Sequence, residues 1–265
     1  MNVIVGDRMQ AFAATTEAMT LTEFLELPRP TSKTVVIGQG LNLEQMDCLK
    51  QHCAQHNLEL LPAVDPVNRA GRSVTHKRKH QNGLISVPVF ITDNTFEAEL
   101  LVDDQGELLL DHATGCHIQG MVLIEAIRQM FIAVAETGYQ TQGVPQNGYV
   151  VFNSIDVRFK SFAFPTSAIL RHTTDSFHMK RPDRATFKAL IEVIQNGVCV
   201  AAVNVSYTVF ESTTLAPKET QKAQEALAKF KTNLQDQIWQ DSLVGQSHPR
   251  TLLQRGQIAA KGSAT

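Results

Sequence analysis

The sequence predicts an α+β fold in which an antiparallel sheet wraps around one long buried helix. Three observations predict it. Residues 121–135 are interrupted only by Glu125, Arg128 and Gln129, contain no Pro or Gly, and are rich in Ile, Leu, Met and Ala, which makes the run helical. Its apolar residues cover most of the helix circumference, as expected of a helix enclosed on nearly every side. Four apolar, β-branched segments then follow in succession, at 149–159, 169–179, 185–194 and 198–210. An antiparallel meander of such strands is the cover this helix needs.

The remaining elements follow in chain order. Residues 1–33 read as a loose lead-in with one short helix at 20–27, capped by Thr20 or Thr22 and ended by Pro28 and Pro30. A strand at 34–37, a helix to about His56 capped by Asn42, and a strand at 58–61 make a small β-α-β extension. Gly38-Gln39-Gly40 lacks the third glycine of a dinucleotide-binding turn, because Leu43 stands there. Cys48, His52 and His56 share one helix face. Three ligands spread over two turns of a straight helix do not converge on one ion, so no metal site is expected.

Residues 62–71, with Pro, Asn and Gly, form a connector and the expected domain boundary. Domains are therefore expected at 1–70, 71–212 and 213–265. The basic stretch 72–80 reads as a solvated strand or loop, with docking of an acidic partner as its functional alternative. Strands are expected at 85–92 and 96–102, followed by a turn at 103–106 and a partner strand at 107–110. Asn196-Gly197 is the strongest hairpin signal. A polar helix near 219–239 and a frayed end complete the chain.

Composition narrows the function. A formal charge of -2 with 43% hydrophobic and 19% charged residues is ordinary for a soluble domain and argues against bulk electrostatic binding of nucleic acid. No apolar run is long enough to span a bilayer, and the N-terminus lacks the pattern of a signal peptide. Cys48, Cys53, Cys116 and Cys199 form no CxxC pair, consistent with reduced thiols and a cytoplasmic location.

Glu125 is the residue to explain first, because a carboxylate inside an apolar helix loses its hydration. Burial should raise its pKa and make it a usable acid or base. Arg128, one turn on, is placed to hold Glu125 ionised or to bind a phosphate or carboxylate; the purely structural alternative is an ion pair that orients the helix. His112 and His117 flank the helix start, and either is a candidate catalytic histidine. Free N–H groups near Gln119 and Gly120 are suited to stabilise an oxyanion.

The stretch from His112 through Gly120 to Glu125 resembles the signature of hotdog-fold acyl carrier protein dehydratases. The chain is more similar to the A-factor synthase (AfsA-type) hotdog family, in Val74-Thr-His76-Lys77, Val89-Phe-Ile91-Thr92-Asp93, Glu125-Ala-Ile-Arg128-Gln129, Ser154-Ile-Asp156-Val-Arg158-Phe159 and Gln195-Asn-Gly197-Val-Cys-Val-Ala. The type member carries two hotdog repeats, and this chain shows one. The resemblance implies a hotdog fold and at least a homodimer, with His112 of one subunit facing Glu125 of the other. It implies an acyl thioester substrate carried on the phosphopantetheine of acyl carrier protein or CoA, with no further cofactor. Three activities follow from it: transfer of a β-ketoacyl group to a hydroxyl acceptor, dehydration of a 3-hydroxyacyl thioester by a His/Glu pair, or acyl-thioester binding without catalysis. For a phosphorylated acceptor the candidates are Arg128, Lys77, Arg158 and Arg171, with Gln129 beside them.

Overall fold

A computed structural model describes residues 1–110 and 115–244. Its centre is helix α6, Gly120–Thr137, of which twelve residues are buried. A six-stranded antiparallel sheet wraps it, made of β5 (Val89–Thr92), β6 (Thr95–Glu99), β7 (Tyr149–Phe159), β8 (Ile169–Arg181), β9 (Arg184–Gln195) and β10 (Val198–Phe210), in the order β5-β6-β8-β9-β10-β7. This is the hotdog arrangement. Period-2 alternation in β9 and β10 turns Phe187, Ile191, Val203 and Tyr207 onto α6. Phe131 of the helix stacks on Tyr207, which stacks on Phe187, with ring centroids 4.5 and 4.9 Å apart. Truncating Phe131 to Ala would remove about 3–5 kcal/mol from this core.

The β9–β10 hairpin turns at Asn196-Gly197, both at positive φ (51° and 75°), the backbone that Asn-Gly supplies at least cost. The order of the sheet departs from a simple meander. β7 leaves α6 and pairs with β10, the last strand, not with its successor β8. Among the described residues it therefore forms a free edge. Val150, Phe152, Ile155 and Val157 oppose inward-facing residues of β10, yet Phe152 is 42% and Ile155 43% exposed.

The first 61 residues are more structured than expected. They form β1 (Asn2–Val5), α1 (Gln10–Ala13), β2 (Met19–Thr20), α2 (Leu21–Leu25), β3 (Thr34–Ile37), α3 (Leu43–Gln55) and β4 (Glu59–Leu61). The strands make a parallel sheet in the order β2-β1-β3-β4, so the β-α-β extension is present and the supposed lead-in supplies its inner strand β1. Four residues of Asn-Val-Ile-Val are too short to announce a strand locally; pairing with β3 makes it one. Capping boxes at Thr20 and Asn42 start α2 and α3. Gln39 welds the extension to the hotdog, donating to Leu100 O (2.8 Å) and accepting from Val102 N (2.7 Å).

Two further expectations are corrected. Residues 107–110 form a short helix, α5 (Glu107–Leu110), because β6 already has β5 and β8 on its two sides and offers no edge. The basic stretch opens with a helix, α4 (Arg72–Thr75), packed against α6. From Thr213 the chain is a separate unit, and all but the first residue of helix α7 (Ser212–Val244) belongs to it, largely exposed where its side chains are described. No helix among the described residues is long and apolar enough to cross a membrane.

Candidate functional site

One stripe of α6 is polar, and it faces α4 and the turn after it. Glu125 sits there with 17% of its side chain exposed. Arg128 grips it with two bonds, Nε to Oε2 at 2.8 Å and Nη2 to Oε1 at 3.0 Å. Lys77 Nζ lies 2.6 Å from Oε1, and Gln129 Nε2 donates to the same oxygen at 3.0 Å. Lys77 arrives because His76 ends α4 in the left-handed region (φ 58°) and reverses the chain. Burial pushes the Glu125 pKa up, but the bonds from Arg128, Lys77 and Gln129 outweigh it and hold the carboxyl below its ordinary value. The expectation that burial leaves Glu125 as a raised-pKa acid is corrected: three donors keep it ionised.

Gln129 is fully buried and saturated. Its Oε1 accepts from Leu84 N (2.7 Å), and its Nε2 also donates to Asn82 O (2.9 Å). It anchors the segment before β5 to the helix. Lys77 and Glu125, with Leu84, Leu109 and Val122, line a recess of about 160 Å³.

Three turns further along the same stripe lies a pair that sequence reasoning missed. His76 Nε2 is 2.9 Å from Glu136 Oε1, and Glu136 Oε2 accepts from Asn147 N at 3.0 Å. Glu136 is 6% exposed and the His76 side chain 28%. The signal was available: Glu136 follows Glu125 by eleven positions, three helical turns on the same face. His76 and Arg128 line an open cleft of about 960 Å³ together with Arg72, Ser73, Tyr149 and Val150.

At the other end of α6, His117 and Gly120 line a more apolar recess of about 660 Å³ with Leu123, Phe159 and Phe162. The His117 ring lies 4.7 Å from that of Phe162. A Cβ on Gly120 would come within 2.8 Å of the tip of the Phe159 ring, so a larger residue there has to push that ring aside. Gln119 is the N-cap without a side-chain cap bond, and its Nε2 is buried without a partner among the described residues. Gly120 N and Met121 N take no backbone acceptor there. These are the free donors of a helix start.

The other expected residues are dispersed. His112 lies outside the described residues. Within one copy, His117 and Glu125 line different recesses. Arg158 is 71% exposed and 3.4 Å from Asp156, on the sheet face turned away from α6. Arg171 pairs with Glu97 at 2.7 Å across β8 and β6. Among the described residues no group of His, Cys, Asp and Glu is arranged to hold a metal ion.

Residues 62–211 match the model of a family described as the A-factor biosynthesis hotdog domain. No curated protein matches the sequence. Among solved structures, the dehydratase heterocomplex ApeI:P of Xenorhabdus doucetiae is 16% identical, with a TM-score of 0.42 over 55% of this chain and 93% of that one. AziG of S. sahachiroi is 17% identical, with a TM-score of 0.35 over 48% and 91%. A mutant thioesterase of Pseudomonas aeruginosa is 13% identical, with a TM-score of 0.34 over 48% and 81%.

Proposed function

The chain belongs to the A-factor biosynthesis (AfsA-type) hotdog family, and from that premise we propose that it is an enzyme that transfers a β-ketoacyl group from an acyl carrier protein or CoA thioester to a hydroxyl acceptor. The observation that carries transfer over dehydration is the state of Glu125. A dehydratase needs a carboxylic acid that protonates the departing hydroxyl. Glu125, held ionised by Lys77, Arg128 and Gln129, is a poor proton donor. Acyl transfer needs no such acid. It needs an oxyanion stabiliser, which the free N–H groups of Gly120 and Met121 and the positive end of the α6 dipole supply. The exposed Arg72, Arg78 and Lys79 suit an acidic carrier protein. Residues 71–212 carry this chemistry, and 1–70 and 213–265 flank it.

The active form in this reading is a homodimer joined through β7. Among the described residues that strand is an unpaired edge, and Phe152 and Ile155 remain exposed beside α6. A second copy adding its own β7 satisfies the backbone and covers both.

Intact-mass measurement of carrier-bound substrates tests the activity. The expected result is deacylated carrier from 3-oxooctanoyl carrier protein only when a hydroxyl acceptor such as glycerol or dihydroxyacetone is present, and no reaction of 3-hydroxyoctanoyl carrier protein. Loss of water from the hydroxyacyl carrier would overturn transfer in favour of dehydration.

A further inference from the structure

We propose that His76 and Glu136 form a general-base dyad that activates the acceptor hydroxyl for a thioester bound at the helix start of the second copy. The inference rests on the acyl-transfer reading and on the β7 pairing above.

The dyad has the parts a base requires. Glu136 is fixed through both oxygens, by His76 Nε2 and by Asn147 N. It therefore holds the ring in the tautomer that donates from Nε2 and leaves the lone pair on Nδ1. Nδ1 has no hydrogen bond among the described residues, and His76 lines the cleft of about 960 Å³. Its left-handed backbone (φ 58°) is unusual for a residue with a side chain. Such conformations persist where the surrounding structure enforces them; here His76 N bonds back to Arg72 O at 2.9 Å.

Distance excludes the base from the helix start of its own copy. Gly120 and Glu136 are separated by about 24 Å of helix at 1.5 Å per residue. Strand direction supplies the alternative. Identical strands related by a two-fold axis run antiparallel, so a second β7 sets its Phe159 end beside the Tyr149 end of the first. Tyr149 and Val150 line the dyad cleft, and Phe159 lines the recess at Gly120. Each complete site then takes its base from one copy and its oxyanion donors from the other.

In the reaction, Nδ1 takes the proton of the acceptor hydroxyl while its oxygen attacks the thioester carbonyl carbon. The C–O bond forms, the C–S bond breaks, and the imidazolium returns the proton to the leaving thiolate. Ester and thiol are the products.

The test uses the full chain with 3-oxooctanoyl-CoA as donor and glycerol as acceptor, following CoA release. His76→Gln should lower kcat about a hundredfold or more with KM unchanged. Glu136→Gln should lower kcat at least tenfold with KM unchanged, because its amide donates to Nε2 and turns the ring to the tautomer protonated at Nδ1. His76→Gln within threefold of wild type overturns the dyad; a wild type that releases no CoA at all sinks the transfer reading itself, and the dyad's role with it. Subunit mixing decides the cross-copy geometry. His76→Gln mixed with Gly120→Val, each inactive alone and each checked for folding by near-UV circular dichroism, should recover about a quarter of wild-type activity if two-fold dimers form at random. No recovery from folded, mixed dimers overturns the shared site.

Discussion

Two carboxylates on one stripe of one helix have opposite surroundings. Glu125 receives Arg128, Lys77 and Gln129; Glu136 receives one histidine and one backbone N–H. The first is saturated with donors that stay charged or fully bonded at neutral pH, so its own proton chemistry is quenched. The second is bonded to an imidazole whose other ring nitrogen has no hydrogen bond among the described residues. Burial alone therefore does not mark a working carboxylate. What matters is whether its partner is left with a proton to move.

The largest effect that separates the two should come from Glu125→Ala. It strands the Lys77 ammonium and Arg128 guanidinium in a partly buried place. Removing one partner of a fully buried pair costs about 3–5 kcal/mol. Since Lys77 and Arg128 keep 27% and 29% exposure, the expected loss is about 2–3 kcal/mol. Urea unfolding measures it, and adding Lys77→Met should recover part of the loss. A loss below about 0.5 kcal/mol, typical of surface sites, would mean that the cage is not an anchor.

How much of this was legible in the sequence depends on range. Helix α6 announced itself because fifteen consecutive residues carry the signal, and the Asn196-Gly197 hairpin because its strands are adjacent in sequence. Glu125 with Arg128 was legible as a neighbouring pair on one helix. Lys77 was named, but as a phosphate ligand; its place on Glu125 depends on a left-handed turn at His76 that no local pattern declares. The His76–Glu136 contact spans 60 residues. The position of β7 beyond β10 is likewise a property of the whole sheet, since nothing within residues 149–159 says which neighbour they will take. The pKa of Glu125 was misjudged for the same reason: desolvation can be read from an apolar run, but the donors that outweigh it come from elsewhere.

A second histidine sharpens the comparison by lacking what His76 has. His172 on β8 is fully buried, and neither ring nitrogen has a partner among the described residues. Burial drives its pKa down to about 3. The unfolded chain, with a histidine pKa near the ordinary 6.5, binds the proton more readily than the folded one in between. Stability from this group is thus fully present above pH 6.5 and is lost as pH falls toward 3. Between pH 7.5 and 5.5 the expected loss is about 1.4 kcal/mol. His172→Leu should flatten that part of the pH–stability curve, measured by urea midpoints. An unchanged slope would mean that another group controls acid sensitivity.

The smallest stability effect should be that of Glu136→Gln. A glutamine there keeps an oxygen for the Asn147 N–H, and its amide nitrogen can donate to His76 if the ring switches to the tautomer protonated at Nδ1. Every buried group retains a partner, so the stability change should stay within about 1 kcal/mol. Activity should not be spared, because the lone pair has moved from the cleft to the buried side of the ring. Near-wild-type melting with kcat reduced at least tenfold would separate Glu136 from Glu125, whose loss weakens the fold itself. A Glu136→Gln protein that loses several kcal/mol would erase the distinction and make both carboxylates anchors of the same helix.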